Sequence, residues 1–161
     1  MRYTIWLILA LIFLACNNED ATVPDSPGDT ILSEEDIVMP PAPLPWVAQY
    51  DTTKNEFFLK QQRTVSPDSI SAENLIADLN ASWDQVELQF VKISNDTLYV
   101  AIPNSDYLGS QMGSAGAASY MASTTYNLTE IKGINYVNYD MQTGDHVSPG
   151  TFSRKSFENF R

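Results

Sequence analysis

Few residues in this 161-residue chain are equipped for chemistry, and two of them stand alone: one cysteine, Cys16, and one histidine, His146. A lone cysteine excludes an intrachain disulfide and any multi-cysteine metal site. A lone histidine likewise excludes a multi-histidine site. No metal site and no cofactor are therefore expected. Asp145, His146 and Ser148 supply the three residue types of a hydrolase triad. Triad members ordinarily converge from distant positions, and three near-neighbours in one turn cannot readily orient one another. Gly109-Ser110-Gln111-Met112-Gly113-Ser114-Ala115-Gly116 imitates a phosphate-cradling loop that opens a helix. It lacks the P-loop lysine and the Gly-x-Gly-x-x-Gly spacing, so small residues that permit close packing are the better reading. Acid pairs such as Glu34-Glu35 lie in a polar stretch with no dry pocket to raise a carboxyl pKa. The expectation is a protein that is not an enzyme and has no catalytic residues.

Cys16 has a different chemistry, set by what precedes it. Met1-Arg2-Tyr3 is a short basic start, and Ile5 to Ala15 is an unbroken apolar run. The run is too short to span a bilayer, which takes about 20 residues, and fits the core of an export signal. Phe13-Leu14-Ala15-Cys16 resembles the lipobox of bacterial lipoproteins. On that resemblance residues 1–15 are a cleaved signal peptide and Cys16 becomes the acylated N-terminus, with the palmitate-type chains that stable anchoring requires. The expected location is the extracytoplasmic face of a cell-envelope membrane.

Charge narrows the partners. Twenty acidic residues stand against nine basic ones, for a net charge of −11. Phosphate binding needs Lys and Arg to displace counterions, so a nucleic-acid partner is not expected. The acids also repel anionic lipid, leaving the acyl chains to hold the membrane. Residues 16–45 read as a tether. The stretch carries Glu19, Asp20, Asp25, Asp29, Glu34, Glu35 and Asp36, no lysine or arginine, and the run Pro40-Pro41-Ala42-Pro43-Leu44-Pro45. Such composition cannot bury enough apolar surface to offset ordering entropy, and the prolines favour extended polyproline II. Acids immediately after the cysteine resemble those of Bacteroidetes lipoproteins.

Hydrophobic content of 43% leaves enough for one core, and residues 46–161 are expected to form one α+β domain. A strand is expected from Glu56 to Val65, ended by Ser66-Pro67-Asp68. Ser71 can cap a helix beginning at Ala72, with Leu75, Ile76, Leu79 and Trp83 on one face. Val86 to Ile93 and Leu98 to Ile102 alternate around Ser94-Asn95-Asp96, which predicts a hairpin with Val86, Leu88 and Phe90 facing inward. A second helix is expected from about Ser114 to Ile131, with Ala118, Met121, Thr125 and Leu128 on its apolar face and Gly133 as its stop. Ile134 to Met141 reads as the last strand. The predicted order is β-α-β-β-α-β: two helices packed on one face of a mainly antiparallel four-stranded sheet.

Several of these residues carry a family resemblance. Asp96-Thr97-Leu98-Tyr99-Val100, Gly113-Ser114-Ala115-Gly116-Ala117, Asn127-Leu128-Thr129-Glu130-Ile131, Gly133-Ile134, Val137 and Gly144 follow one another as in a GerMN domain. Upstream, Arg63-Thr64-Val65 and Leu75-Ile76-Ala77-Asp78-Leu79 fit that family's first strand and helix, so the resemblance spans roughly residues 55–153. It implies an extracytoplasmic binding or assembly domain, often lipid-anchored, with no established catalytic residues. The expected partner is an envelope protein or a second copy of the chain. The alternative is cell-wall glycan, peptidoglycan, with tyrosines as sugar platforms. Tyrosine is favoured in binding surfaces, and the sheet face away from the helices must present one of the last strand's two alternating sets. Tyr136 belongs to one set and Tyr139 to the other, and both are candidates for an interaction surface.

Overall fold

The computed structural model describes residues 43–160. The export signal, Cys16 and the tether through residue 42 lie outside the described residues. The order is β1 (Trp46–Asp51), β2 (Glu56–Gln61), α1 (Ala72–Ser82), β3 (Gln89–Ser94), β4 (Thr97–Ala101), α2 (Gly113–Leu128), β5 (Tyr136–Asp140) and β6 (Gly150–Phe152). The fold is α+β. Its strands form two sheets, one of β1 and β2, the other in the order β3-β4-β5-β6.

That division corrects the expected layout. The strand at Glu56–Gln61 belongs to a separate hairpin with β1, which the alternation pattern did not reveal, and β6 completes the four-stranded sheet instead. Pairing is fixed locally. Asp51 Oδ1 accepts from Thr53 N (2.8 Å) and Thr53 Oγ1 (2.6 Å), and Asn55 takes φ +58°. Aspartate and asparagine close such turns because they bond nearby backbone and tolerate left-handed φ. The same device turns β3 into β4, with Asn95 at φ +54°.

In the larger sheet, β4 pairs antiparallel with β3 and β5 with β6, while β4 and β5 are parallel. A parallel pair needs a crossover, and α2 is that crossover. Helix α1 begins as the sequence predicts: Ser71 Oγ accepts from Asn74 N at 3.2 Å. Its Leu75, Ile76 and Leu79 are buried. They join Ala117, Tyr120 and Met121 of α2 against Leu98, Val100, Val137 and Tyr139, so both helices cover one face of the four-stranded sheet.

Helix α2 departs from the expected one-sided stripe. Every residue from Ser119 to Leu128 is buried, because β1 and β2 cover its far side, where Leu59 packs with Ala122 and Tyr126. A helix enclosed on both sides must find protein partners for its polar groups, and most of those of α2 do, Tyr120 Oη and Thr124 Oγ1 being the exceptions. Ser119 Oγ donates to Ala115 O at 2.8 Å. Asn127 receives Trp46 N on Oδ1 (2.9 Å) and donates from Nδ2 to Trp46 O (2.8 Å), so one carboxamide pairs the start of β1. Asn80 does the same from α1 for Leu88, just before β3, at 2.8 and 2.9 Å. Packing reaches back beyond Trp46 to Leu44, which is buried. At the other end Arg154 bonds Glu130 (2.5 Å) and Thr129 Oγ1 (2.8 Å) and lies over the rings of Trp46 and Tyr126. Among the described residues no helix is long and apolar enough to cross a membrane.

Candidate functional site

The larger sheet has two unequal faces, and strand parity decides which side chain occupies which. Along β4, Leu98 and Val100 point to the helices. Along β5, Val137 and Tyr139 do. Tyr139 is 1% exposed, and its hydroxyl lies 3.0 Å from Thr125 Oγ1 of α2. Desolvation holds its phenol well above the ordinary range, opposed only in part by the Thr125 hydrogen bond. Tyr120, on the neighbouring turn of α2, is raised as well, by burial first and by Tyr139 second. Tyr139 is therefore a core residue and is removed from the candidate surface.

Tyr136 takes the opposite face and is 43% exposed. The parallel register sets Thr97 beside Tyr136, Tyr99 beside Asn138 and Ala101 beside Asp140. Lys92 of β3 lies opposite Tyr99, with its ammonium 4.9 Å from the ring centroid. Asn138 Nδ2 donates to Thr151 Oγ1 of β6 at 2.7 Å. A shallow groove of about 410 Å³ crosses this face, lined by Val91, Tyr99, Asn138, Asp140, Pro149 and Gly150. Aromatic rings, amides, a carboxylate and an ammonium share this face, which no helix of the described residues covers.

Among the described residues no strand pairs with the sheet's β3 edge. All six of its residues are exposed, among them Phe90, Val91 and Ile93. The sequence predicts Phe90 as an inward residue. Its register opposite Val100 does place it on the helix side, yet it stays 40% exposed because the strand lies at the sheet's margin. A bulge between Phe90 and Lys92 breaks the simple alternation.

The polar turn at 144–148 sits elsewhere. Gly109 and Gly144 touch backbone to backbone: a Cβ added to Gly144 would fall 2.5 Å from Gly109 Cα. His146 N donates to Gly109 O at 3.0 Å. The imidazole meets neither Asp145 nor Ser148. Its Nδ1 lies 3.0 Å from Ser114 Oγ in the first turn of α2. The sequence marks Ser114 only as part of the glycine-rich stretch, and no signal pairs it with His146, 32 residues away. Among the described residues no carboxylate hydrogen-bonds His146, so the pair lacks the third group that orients a triad base. Beside it runs a cleft of about 440 Å³ whose apolar wall includes Ala117, Met121, Phe152 and Phe157. Among the described residues no cluster of three or more His, Cys, Asp or Glu side chains is placed to hold a metal. Cys16 lies outside the described residues.

No protein-family model matches the chain, and no curated protein matches it. Among solved structures it is similar to the tandem GerMN domains of the sporulation protein GerM from Bacillus subtilis, at 12% identity and a TM-score of 0.42. The match covers 70% of this chain and 45% of that one, so this chain spans under half of that structure's length.

Proposed function

We propose that this is a lipid-anchored envelope protein whose domain, residues 46–161, binds a protein partner on the extracytoplasmic side and catalyses no reaction of its own. The observation that carries the reading is the unequal sheet. One face is sealed by two helices, and the other carries exposed Tyr136 and Lys92 with half-buried Tyr99 and Asn138. A mixed sheet of this kind can leave one face in water. Exposed tyrosine beside amide and ammonium groups favours contact with a partner, since each ring offers a large area at small entropic cost. Anchoring through Cys16 would hold that face near the membrane, and the acidic tether would let it reach a neighbouring envelope protein.

A glycan reading has one specific observation in its favour. The groove has a tyrosine, Tyr99, on its floor with Asn138 and Asp140 beside it, which are the groups that stack on and hydrogen-bond a sugar. Lys92 already covers a face of that ring, so the protein reading is preferred. The experiment is co-purification of the full-length protein from its native envelope, native against Tyr136→Ser, with mass spectrometry of the mature N-terminus. Acylated Cys16 and a protein partner lost in the variant are expected. An unmodified Cys16 overturns the anchoring, and recovery with purified peptidoglycan instead of protein replaces the partner by glycan.

A further inference from the structure

The cleft beside His146 has one wall unlike the others. Ala117 and Met121 belong to α2 and are buried, and Phe152 belongs to β6. The fourth apolar side chain, Phe157, comes from the C-terminal 3₁₀ segment Arg154–Phe160, in which no residue is buried. A 3₁₀ helix has poorer hydrogen-bond geometry than an α-helix and rarely runs beyond three or four residues. This one spans seven residues and is broken inside, at Phe157, where φ is −126° and ψ is 30°.

The start of the segment is fastened differently from the rest. Arg154 donates from Nε to Thr129 Oγ1 (2.8 Å) and from Nη2 to Tyr126 O (3.0 Å) and Glu130 Oε1 (2.5 Å). Its guanidinium also lies 5.5 Å from the Trp46 ring centroid and 5.1 Å from that of Tyr126. Ser153 and Ser156 bond only each other across the first turn, Ser153 N to Ser156 Oγ at 3.1 Å and Ser156 N to Ser153 O at 2.9 Å. Beyond Arg154 the segment is held by rings. Phe157 stacks on Phe152 with centroids 5.7 Å apart and planes 24° apart, and Phe160 meets Phe157 edge-on at 6.3 Å. Chain ends are poorly ordered unless tied down, and here the strong tie comes first and the weaker ones follow. Phe157 packs against both clusters of buried residues, the main core and the small one of Leu59, Ala122 and Tyr126. Displacing that one ring therefore opens the cleft and uncovers part of the small core together.

We propose that residues 155–160 are a lid on the His146 cleft, pivoting at Arg154 and closed by the rings of Phe152, Phe157 and Phe160. Closed, the lid supplies one wall of a cleft of about 440 Å³. Open, it leaves Ala117, Met121 and Phe152 accessible to an apolar group. The pivot stays in place because charge-assisted hydrogen bonds with two rings beneath them outlast a pair of ring contacts. The lid works independently of whatever docks on the open face of the larger sheet.

The test is NMR relaxation dispersion on the full-length protein in lipid nanodiscs. His146 is the chain's one histidine, so its ring gives a single resonance, and Phe157 lines the same cleft. Lid motions fall in the μs–ms range that dispersion reads. Dispersion is expected in the amides of 155–160 and at the His146 ring, with one shared exchange rate, and not in the amides of β5. Arg154→Ala, which loosens the pivot, is expected to raise the open population about tenfold, as loss of a charged hydrogen bond does. Phe157→Leu keeps an apolar wall but removes the ring current that His146 senses, so dispersion persists in 155–160 and is lost at His146. Unchanged β5 amide shifts show that both variants are folded. Flat profiles in the native protein, or different rates at His146 and 155–160, overturn the proposal. So does uniform ps–ns disorder of 155–160, which would make the segment a frayed end and not a lid.

Discussion

Two faces of one sheet, built from the same strands, have opposite fates. On the helix side Leu98, Val100 and Val137 are fully buried and Tyr139 nearly so. On the solvent side Thr97, Tyr99 and Asn138 are half-buried and Tyr136 is exposed. Tyr136 and Tyr139 are three residues apart on β5, yet one is a core residue and the other is a surface residue. Parity along the strand, and not residue type, separates them. The buried one must pair its hydroxyl, and does so with Thr125. The exposed one is left to water or to a partner.

The largest effect should come from emptying the sealed face. Tyr139→Ala is expected to cost about 3–5 kcal/mol, because it opens a cavity and strips Thr125 of its partner. Urea unfolding measures it, and an unchanged midpoint would move Tyr139 out of the core. Asn127→Leu tests the hairpin's attachment behind α2. It leaves Trp46 N–H without its partner and Trp46 C=O with only the 3.3 Å bond from Ser123 Oγ, for about 1–3 kcal/mol, and should red-shift tryptophan emission. Tyr139→Phe keeps the volume and loses one buried hydrogen bond, about 1 kcal/mol.

Alkaline titration sharpens the same contrast. Folding raises the phenol pKa of Tyr139 and Tyr120, so above the ordinary tyrosine range the folded chain holds protons that the unfolded chain has lost. Their contribution to stability is complete below about pH 10 and declines as pH rises beyond it. Unfolding free energy followed by urea from pH 8 upward should fall with that sign, less steeply in Tyr139→Phe. A pH-independent curve above pH 10 would contradict the burial. The smallest effect on stability belongs to the open face: Tyr136→Ser should stay within about 0.5 kcal/mol of the native protein.

How far the fold was legible follows from where its determinants lie. Helix α1 was readable because its signals are local: a serine cap, then an apolar stripe. The β3–β4 hairpin was readable from alternation around Ser94-Asn95-Asp96. Strand β1 was not, because Trp46–Asp51 mixes apolar and polar residues and takes its order from Asn127, 81 residues away. The enclosure of α2 was hidden for a related reason. Ser119, Ser123 and Thr124 look solvent-facing in sequence, and only the hairpin packed behind them buries them. The choice between Tyr136 and Tyr139 was open because parity gives two faces, and the tertiary contact with α2 decides which is inside. Ser114 meeting His146 is likewise a product of the fold, since Gly109 and Gly144 must first come together.

The central claim is that the open face of the larger sheet is where a protein partner docks. A photo-crosslinking amino acid placed at Tyr136 in the full-length protein, in its native envelope, tests this directly, with the same group at Thr53 on the β1–β2 turn as the comparison. The account predicts a discrete protein adduct from position 136 and none from position 53. Equal labelling from both positions, or no adduct from 136 while the domain remains folded, would contradict it.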